Sequence, residues 1–260
     1  MNTISVSVSD YITTITLDRP EVMNAINHDM QHELQSAFDD FAQDPDQQVC
    51  VVTGSGDKAF CAGSDLKAAV ADGHQGYPAN GYAGLIERFD LDKPVIAAVN
   101  GLALGGGFEV ALACDIIIAS ENASFGLPEP LVGAVALGGG LHRLARQIGL
   151  KQAMGLVLTS RRVSAAEGLR LGFVNAVVPA ADLQSEVSRW CADILRGSPM
   201  SIRASKQTIL RGLEESGVAA AMANQGDYPA FAAWKDSEDA QEGPRAFAEK
   251  RAPRWKGRQE

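Results

Sequence analysis

The run NGLALGGGFEVALACD at 100–115 constrains the fold more than any other part of the chain. Just before it, PVIAAVNG at 94–101 has the continuous apolar character of a buried strand running into a glycine turn. Three glycines then open an apolar helix, expected from about Gly106 to Cys114, and Ile116 to Ala119 reads as the next strand. Strands alternating with helices at this spacing indicate an α/β class.

The alternation extends over most of the chain. Residues 3–8 and 11–17 alternate in polarity around Ser9-Asp10, which predicts a hairpin ended by Asp18-Arg19-Pro20. Met30, Leu34, Phe38 and Phe41 recur at helical spacing, so an amphipathic helix is expected over 27–43. CVVTG at 50–54 and VNAVV at 174–178 predict strands, and Ser164 with Glu167 forms a capping box for a short helix between 164 and 174. Residues 71–92, rich in glycine, read as a mobile surface loop leading to a helix. From about residue 181 onward the pattern is helical, over 181–196, 200–215 and 237–248. The expected organisation is an α/β core over 1–190 and a helical region over 191–260.

Composition narrows the class. The 260 residues can bury a substantial core, and 46% hydrophobic with 21% charged residues is ordinary for a globular protein. The N-terminus lacks a basic start and an apolar run, and no apolar stretch approaches the roughly 20 residues of a membrane span. Cys50, Cys61, Cys114 and Cys191 form no CxxC pair, so a reducing, cytoplasmic setting is expected. A net charge of −9 argues against nucleic acid as a partner. The charge is uneven, because residues 241–260 hold six basic side chains against three acidic ones. That tail reads either as a solvated face or as a local anion site. His28, His32, His74 and His142 show no metal-ligand spacing, and neither a metal nor a redox cofactor is expected.

Three stretches can carry chemistry. In AFCAGSDLKA at 59–68, a glycine before Ser64 lets backbone approach a ligand, although the stretch also reads as a plain strand-to-helix turn. In the second, the N–H of Gly106 stands at the positive end of a helix, and Glu109 sits one turn on among apolar residues. Glu109 is therefore either an acid of raised pKa or an ordinary glutamate favoured by the helix dipole. A dinucleotide-binding turn requires G-x-G-x-x-G, and Val110 breaks that pattern. In FGLPEPLVGAVALGGGLHRL at 125–144, Glu129 between two prolines is expected to be extended on a stiff loop, which is either a presented carboxylate or a surface turn. Together, two N–H donors at Ser64 and Gly106 would hold the enolate of a thioester, and two glutamates would share a water and the α-proton.

These motifs, with ITLDRPEVMNAIN at 15–27 and EGPRAFAEKRAPRW near the end, resemble the crotonase (enoyl-CoA hydratase/isomerase) superfamily over essentially the whole chain. The resemblance implies a spiral of ββα units with a C-terminal helical trimerisation region, assembled as a homotrimer or a dimer of trimers. It implies an oxyanion hole at the Ser64 and Gly106 N–H groups, with Glu129 delivering the α-proton and Glu109 helping to activate water. Ala25, Ala59, Ala62, Asp65 and Leu66 would contact coenzyme A, and Phe247 and Lys250 would reach its adenine and phosphate. Coenzyme A enters as part of an acyl-CoA substrate of the kind handled in fatty acid metabolism, not as a separate cofactor. Glutamates at both positions favour reversible hydration of an enoyl-CoA over double-bond isomerisation or a non-catalytic acyl-CoA-binding role. One departure concerns the acyl pocket: Leu137, before Gly138, stands where a G-x-x-P-G-x-G-G pattern has glycine. Its bulk implies a branched, cyclic or modified acyl group, or use in the dehydratase direction.

Overall fold

The computed structural model describes residues 2–73 and 76–256. His74 and the end of the basic tail, 257–260, lie outside the described residues.

A six-stranded sheet forms the main layer, from β1 (Ile4–Ser9), β2 (Ile12–Leu17), β3 (Val49–Gly54), β5 (Val95–Val99), β7 (Ile116–Ser120) and β10 (Ala176–Val178), in the order β1-β2-β3-β5-β7-β10. Only β1 and β2 run antiparallel. Their turn falls at Asp10-Tyr11, one residue later than expected, with φ of 49° and 68° at the two positions. Two left-handed residues match the twist of a two-residue hairpin. A second sheet contains β4 (Ala59–Cys61), β6 (Leu102–Leu104), β8 (Ser124–Gly126) and β9 (Val163–Ser164), in that order.

The chain passes from one sheet to the other and then into a helix, three times over. β3 and β4 lead to α2 (Leu66–Asp72), β5 and β6 to α3 (Gly106–Ala113), and β7 and β8 to α4 (Gly140–Ile148). This is the expected spiral of ββα units. α1 (His28–Gln43) precedes it, capped by Asn27, whose side chain accepts from Met30 N at 3.0 Å. After it come α5 (Leu150–Thr159), α6 (Ala165–Leu171), α7 (Leu183–Leu195), α8 (Pro199–Gly212), α9 (Val218–Asn224), α10 (Pro229–Lys235) and α11 (Glu238–Ala248). Ser164 caps α6 by accepting from Glu167 N, while the Glu167 carboxylate turns outward to Arg161 instead of closing the box.

The central strands are apolar on both faces because both are covered. Cys50, Val52, Ala97 and Val99 face a core that includes Phe38, Phe41 and the ring trio Phe108, Phe125 and Phe173. Val49, Val51, Ile96 and Ile118 face Leu183, Val187 and Cys191 of α7. The expected division at residue 190 thus falls inside a helix that packs on the sheet. Among the described residues no helix is long and apolar enough to cross a membrane.

Residues 76–92 depart from the sequence reading. They form no α-helix; a 3-10 turn, Tyr82–Gly84, is followed by turns. Nor is this segment superficial, since Tyr82, Ala83, Leu85, Ile86 and Leu91 are buried. Gly84 is pressed on the Gln35 backbone of α1, where any Cβ would collide. Burial here is decided by α1, which local pattern does not see.

Candidate active site

Two backbone donors reach one cavity because glycine allows two loops to touch. Gly63 follows β4 with φ +92°, and a Cβ on it would stand 2.8 Å from Leu104 O and 3.1 Å from Gly106 N. Gly106 is the first residue of α3, so its N–H has no intrahelical acceptor and sits at the positive helix end. Neither this N–H nor that of Ser64 meets an acceptor among the described residues. Gly107 seats α3 directly on β4: a side chain there would run into Cys61 O.

Glu109 projects one turn into α3 and is 4% exposed. Its Oε1 accepts from Gly140 N at 2.9 Å, at the start of α4. Gly138 and Gly140 close over the carboxylate so tightly that a Cβ would come within 2.5 Å of Oε2 and 3.0 Å of Oε1. Burial pushes the carboxyl up to about 7, and the Glu129 charge adds to that, against the N–H groups of Gly140 and Gly138 and the charge of Arg143.

Glu129 follows a different rule from the one expected. It opens a 3-10 turn, Glu129–Val132, and is not an extended residue. Pro130 is tolerated there because the first turn of a helix needs no N–H donor. The Glu129 carboxylate lies over Gly105, with Oε1 3.0 Å from where a Cβ would stand. Its Oε2 is buried with no hydrogen-bond partner among the described residues, and burial raises its pKa above the ordinary carboxylate range. A buried acceptor left unpaired costs about 1–3 kcal/mol, so the fold holds this oxygen against a gradient.

Both carboxylates and both donors line a cavity of about 810 Å³. Ala62, Asp65, Leu66, Leu137 and Gly138 line it too. Asp65 is committed to structure as well, capping α2 through Ala68 N and pairing with Arg19 at 3.0 Å. Ala25 and Ala59, expected at the coenzyme, are buried behind this wall and do not line the cavity: Asn24 and Arg19 draw their carbonyls into the packing of the loop. Phe247 on α11 is 88% exposed, and neither it nor Lys250 lines the cavity of its own chain.

The whole chain, not only the site, has known counterparts. The enoyl-CoA hydratase/isomerase family model matches residues 7–258. The chain belongs to that family. Relatives include the carnitinyl-CoA dehydratases of Proteus mirabilis and Salmonella typhi, 44% and 46% identical over 252 residues, 95% of each chain. Solved enoyl-CoA hydratases from Mycobacterium marinum and Bacillus anthracis superpose with TM-scores of 0.92 and 0.89 at 37% and 34% identity. The superpositions cover 99% and 98% of this chain and 100% of theirs.

In this member of the enoyl-CoA hydratase/isomerase family, two features of the site had no counterpart in the motif reading. Tyr82 reaches the donor pair, with Ser64 Oγ donating to its Oη at 3.2 Å, and its ring lies against Gly106, where a Cβ would meet it at 2.5 Å. No periodicity flags a lone tyrosine in a glycine-rich stretch. The second is the sign of the lining, where Asp29, Asp65 and Glu87 add to the two glutamates while no lysine or arginine among the described residues takes part. Arg143 supports the wall from behind, its Nη2 donating to Ile86 O at 2.7 Å. Among the described residues no three His, Cys, Asp or Glu side chains gather as a metal-ligand group, and His28 and His32 only pack edge to face.

Proposed function

We propose that this chain interconverts a 3-hydroxyacyl-CoA and the corresponding 2-enoyl-CoA, as a hydro-lyase. The observation that carries the reading is the pair of glutamates, buried Glu109 and half-buried Glu129, facing one cavity beside two free N–H groups. In the dehydration direction the Glu129 carboxylate takes the α-proton. The electron pair moves onto the thioester oxygen, which the Ser64 and Gly106 N–H groups hold as an enolate. As the enolate collapses, the β-carbon to oxygen bond breaks and the Glu109 carboxylic acid protonates the departing hydroxyl, giving water. The proton then resides on Glu129 and returns to Glu109 through solvent. Hydration is the reverse.

Coenzyme A arrives with the substrate, and no separate cofactor or metal is required by this chemistry. Ala62, Asp65 and Leu66 line its path. Phe247 and Lys250, which lie off the cavity of their own chain, would serve the coenzyme of a neighbouring subunit in a homotrimer or dimer of trimers built through the 191–260 helices. A cytoplasmic enzyme fits the absence of a disulfide framework.

For the acyl group, the relatives named carnitinyl-CoA dehydratase make carnitinyl-CoA the first candidate. That thioester carries its hydroxyl on the β-carbon and a trimethylammonium on the next carbon. Asp29, Glu87 and the face-to-edge pair Tyr77 and Tyr82 would suit a cation, and among the described residues the lining offers no lysine or arginine to repel one. Leu137 supplies the bulk that separates this pocket from one for a straight chain. Purified protein mixed with crotonyl-CoA, crotonobetainyl-CoA and carnitinyl-CoA, with products weighed by mass spectrometry, tests the reading. Gain or loss of one water, fastest on the cationic pair, is expected; an unchanged mass with a moved double bond would replace hydration by isomerisation.

A further inference from the structure

We propose that the Tyr82 hydroxyl is a third hydrogen-bond donor to the thioester oxygen, acting with the N–H groups of Ser64 and Gly106. The inference rests on the CoA-thioester reading above and goes beyond it by assigning a side chain to the oxyanion site.

Placement comes first. Tyr82 Oη lies 3.2 Å from Ser64 Oγ, and a Cβ built on Gly106 would be 2.5 Å from both Oη and Cζ. The hydroxyl therefore stands between the two residues whose N–H groups face the cavity, and Tyr82 itself lines that cavity while only 4% exposed. Proton accounting comes next. Ser64 Oγ donates to Oη, which leaves the phenolic proton of Tyr82 without an acceptor among the described residues. A buried hydroxyl normally has a partner for its proton, and the oxygen of a thioester bound to the two N–H groups would be one.

The mount is rigid in a way a filler would not need. Ala83, directly after Tyr82, holds φ 57° and ψ 17°, a left-handed conformation unfavourable for a residue with a side chain. Gln31 Oε1 accepts from Ala83 N at 3.4 Å, and Gly84 is jammed on the α1 backbone at Gln35. On the far side, Arg143 ties Ile86 O to α4 at 2.7 Å. Tyr77 packs edge-on to the ring with centroids 5.7 Å apart. The ring is thus clamped from α1, α4 and its own segment, with the hydroxyl directed to the donor pair. Substrate-oriented donors that need not reorganise are the most effective stabilisers of developing negative charge.

The test compares wild-type protein with Tyr82→Phe, which keeps the ring against Gly106 and removes only the hydroxyl. Kinetics are read on the turned-over thioester. Carbonyl polarisation is read as the red shift of bound 2,4-hexadienoyl-CoA, whose long-wavelength band moves as its carbonyl is pulled. The variant is expected to lose about 10- to 100-fold in kcat with KM within about threefold of wild type, and to lose part of the red shift. Replacing Tyr82 by 3-fluorotyrosine, a stronger donor of nearly the same shape, should enlarge the shift, and it keeps the test open if the phenylalanine variant folds poorly. A wild-type red shift in both variants overturns the proposal, even where kcat falls, because that loss would then come from packing. Wild-type protein that neither shifts nor turns over any CoA thioester overturns the thioester reading itself, and this inference with it.

Discussion

On the floor of the cavity, at 61–64 and 104–109 with 138–140, glycines are packed so tightly that Gly63, Gly106, Gly107, Gly138 and Gly140 have no room for a Cβ. On the outer wall, at 131–137, the side chains of Leu131, Val132, Val135 and Leu137 are 59–82% exposed, and Gly133 has nothing within 4 Å of a would-be Cβ. The floor places backbone N–H groups and carboxylates by steric exclusion, so it tolerates almost no change. In the proposed reading the wall holds no reacting group and shapes what enters. Reaction type and substrate choice are in that reading separated in space, so each should be open to perturbation alone.

The floor should break first. Glu129→Gln and Glu109→Gln are each expected to cost about 10²–10⁴ in kcat, read in steady-state turnover, since each removes one of the two proton-transfer groups. In the proposed mechanism the pair works with one proton between its carboxylates. Burial keeps Glu109 protonated up to about 7, so kcat/KM should fall as pH rises past that point and the last proton leaves. Hydration consumes no net proton, so the same limb must occur in both directions. Stability has the same sign: a carboxyl raised from 4.5 to about 7 stabilises the fold below 4.5, and that contribution is lost as pH rises through 7. Glu109→Gln should flatten this dependence in urea titrations taken at several pH values.

A matched pair of glycine substitutions sharpens the comparison. Gly107→Ala forces a methyl into Cys61 O, and a loss of about 3 kcal/mol in chemical denaturation is expected. Gly133→Ala meets open space and bears only the cost of φ +72°, about 1 kcal/mol. Equal losses would show that the floor is less rigid than its packing implies. The smallest effect belongs to the wall: Leu137→Gly should move relative kcat/KM between straight and branched or cationic enoyl-CoAs by about three- to tenfold, with kcat on the best substrate little changed.

Much of the fold was legible locally. Ser164 caps the helix it was expected to cap, Asn27 caps the helix expected over 27–43, and Met30, Leu34, Phe38 and Phe41 form the buried stripe that their spacing announced. α4 and α5, however, follow a glycine-rich stretch, and no helix is expected there from the sequence alone. Segment 76–92 departs from its local pattern for a clearer reason. Glycine and proline suggest a mobile loop, yet Tyr82, Ala83, Leu85 and Ile86 are buried in a segment held on α1, more than forty positions earlier in the chain.

Residue types and short-range spacing were enough to single out Ser64, Gly106 and both glutamates as candidates and to show the alternation of strands and helices. Those features depend on neighbours within a turn or two, where chain connectivity sets geometry. Only the tertiary structure brought Gly63 against Gly106, set Glu129 over Gly105, closed Gly138 and Gly140 on Glu109, and aimed Tyr82 at the donor pair. Each of these is a contact between segments that the backbone does not hold together. Their energies come from burial and exclusion of water, which no local pattern encodes.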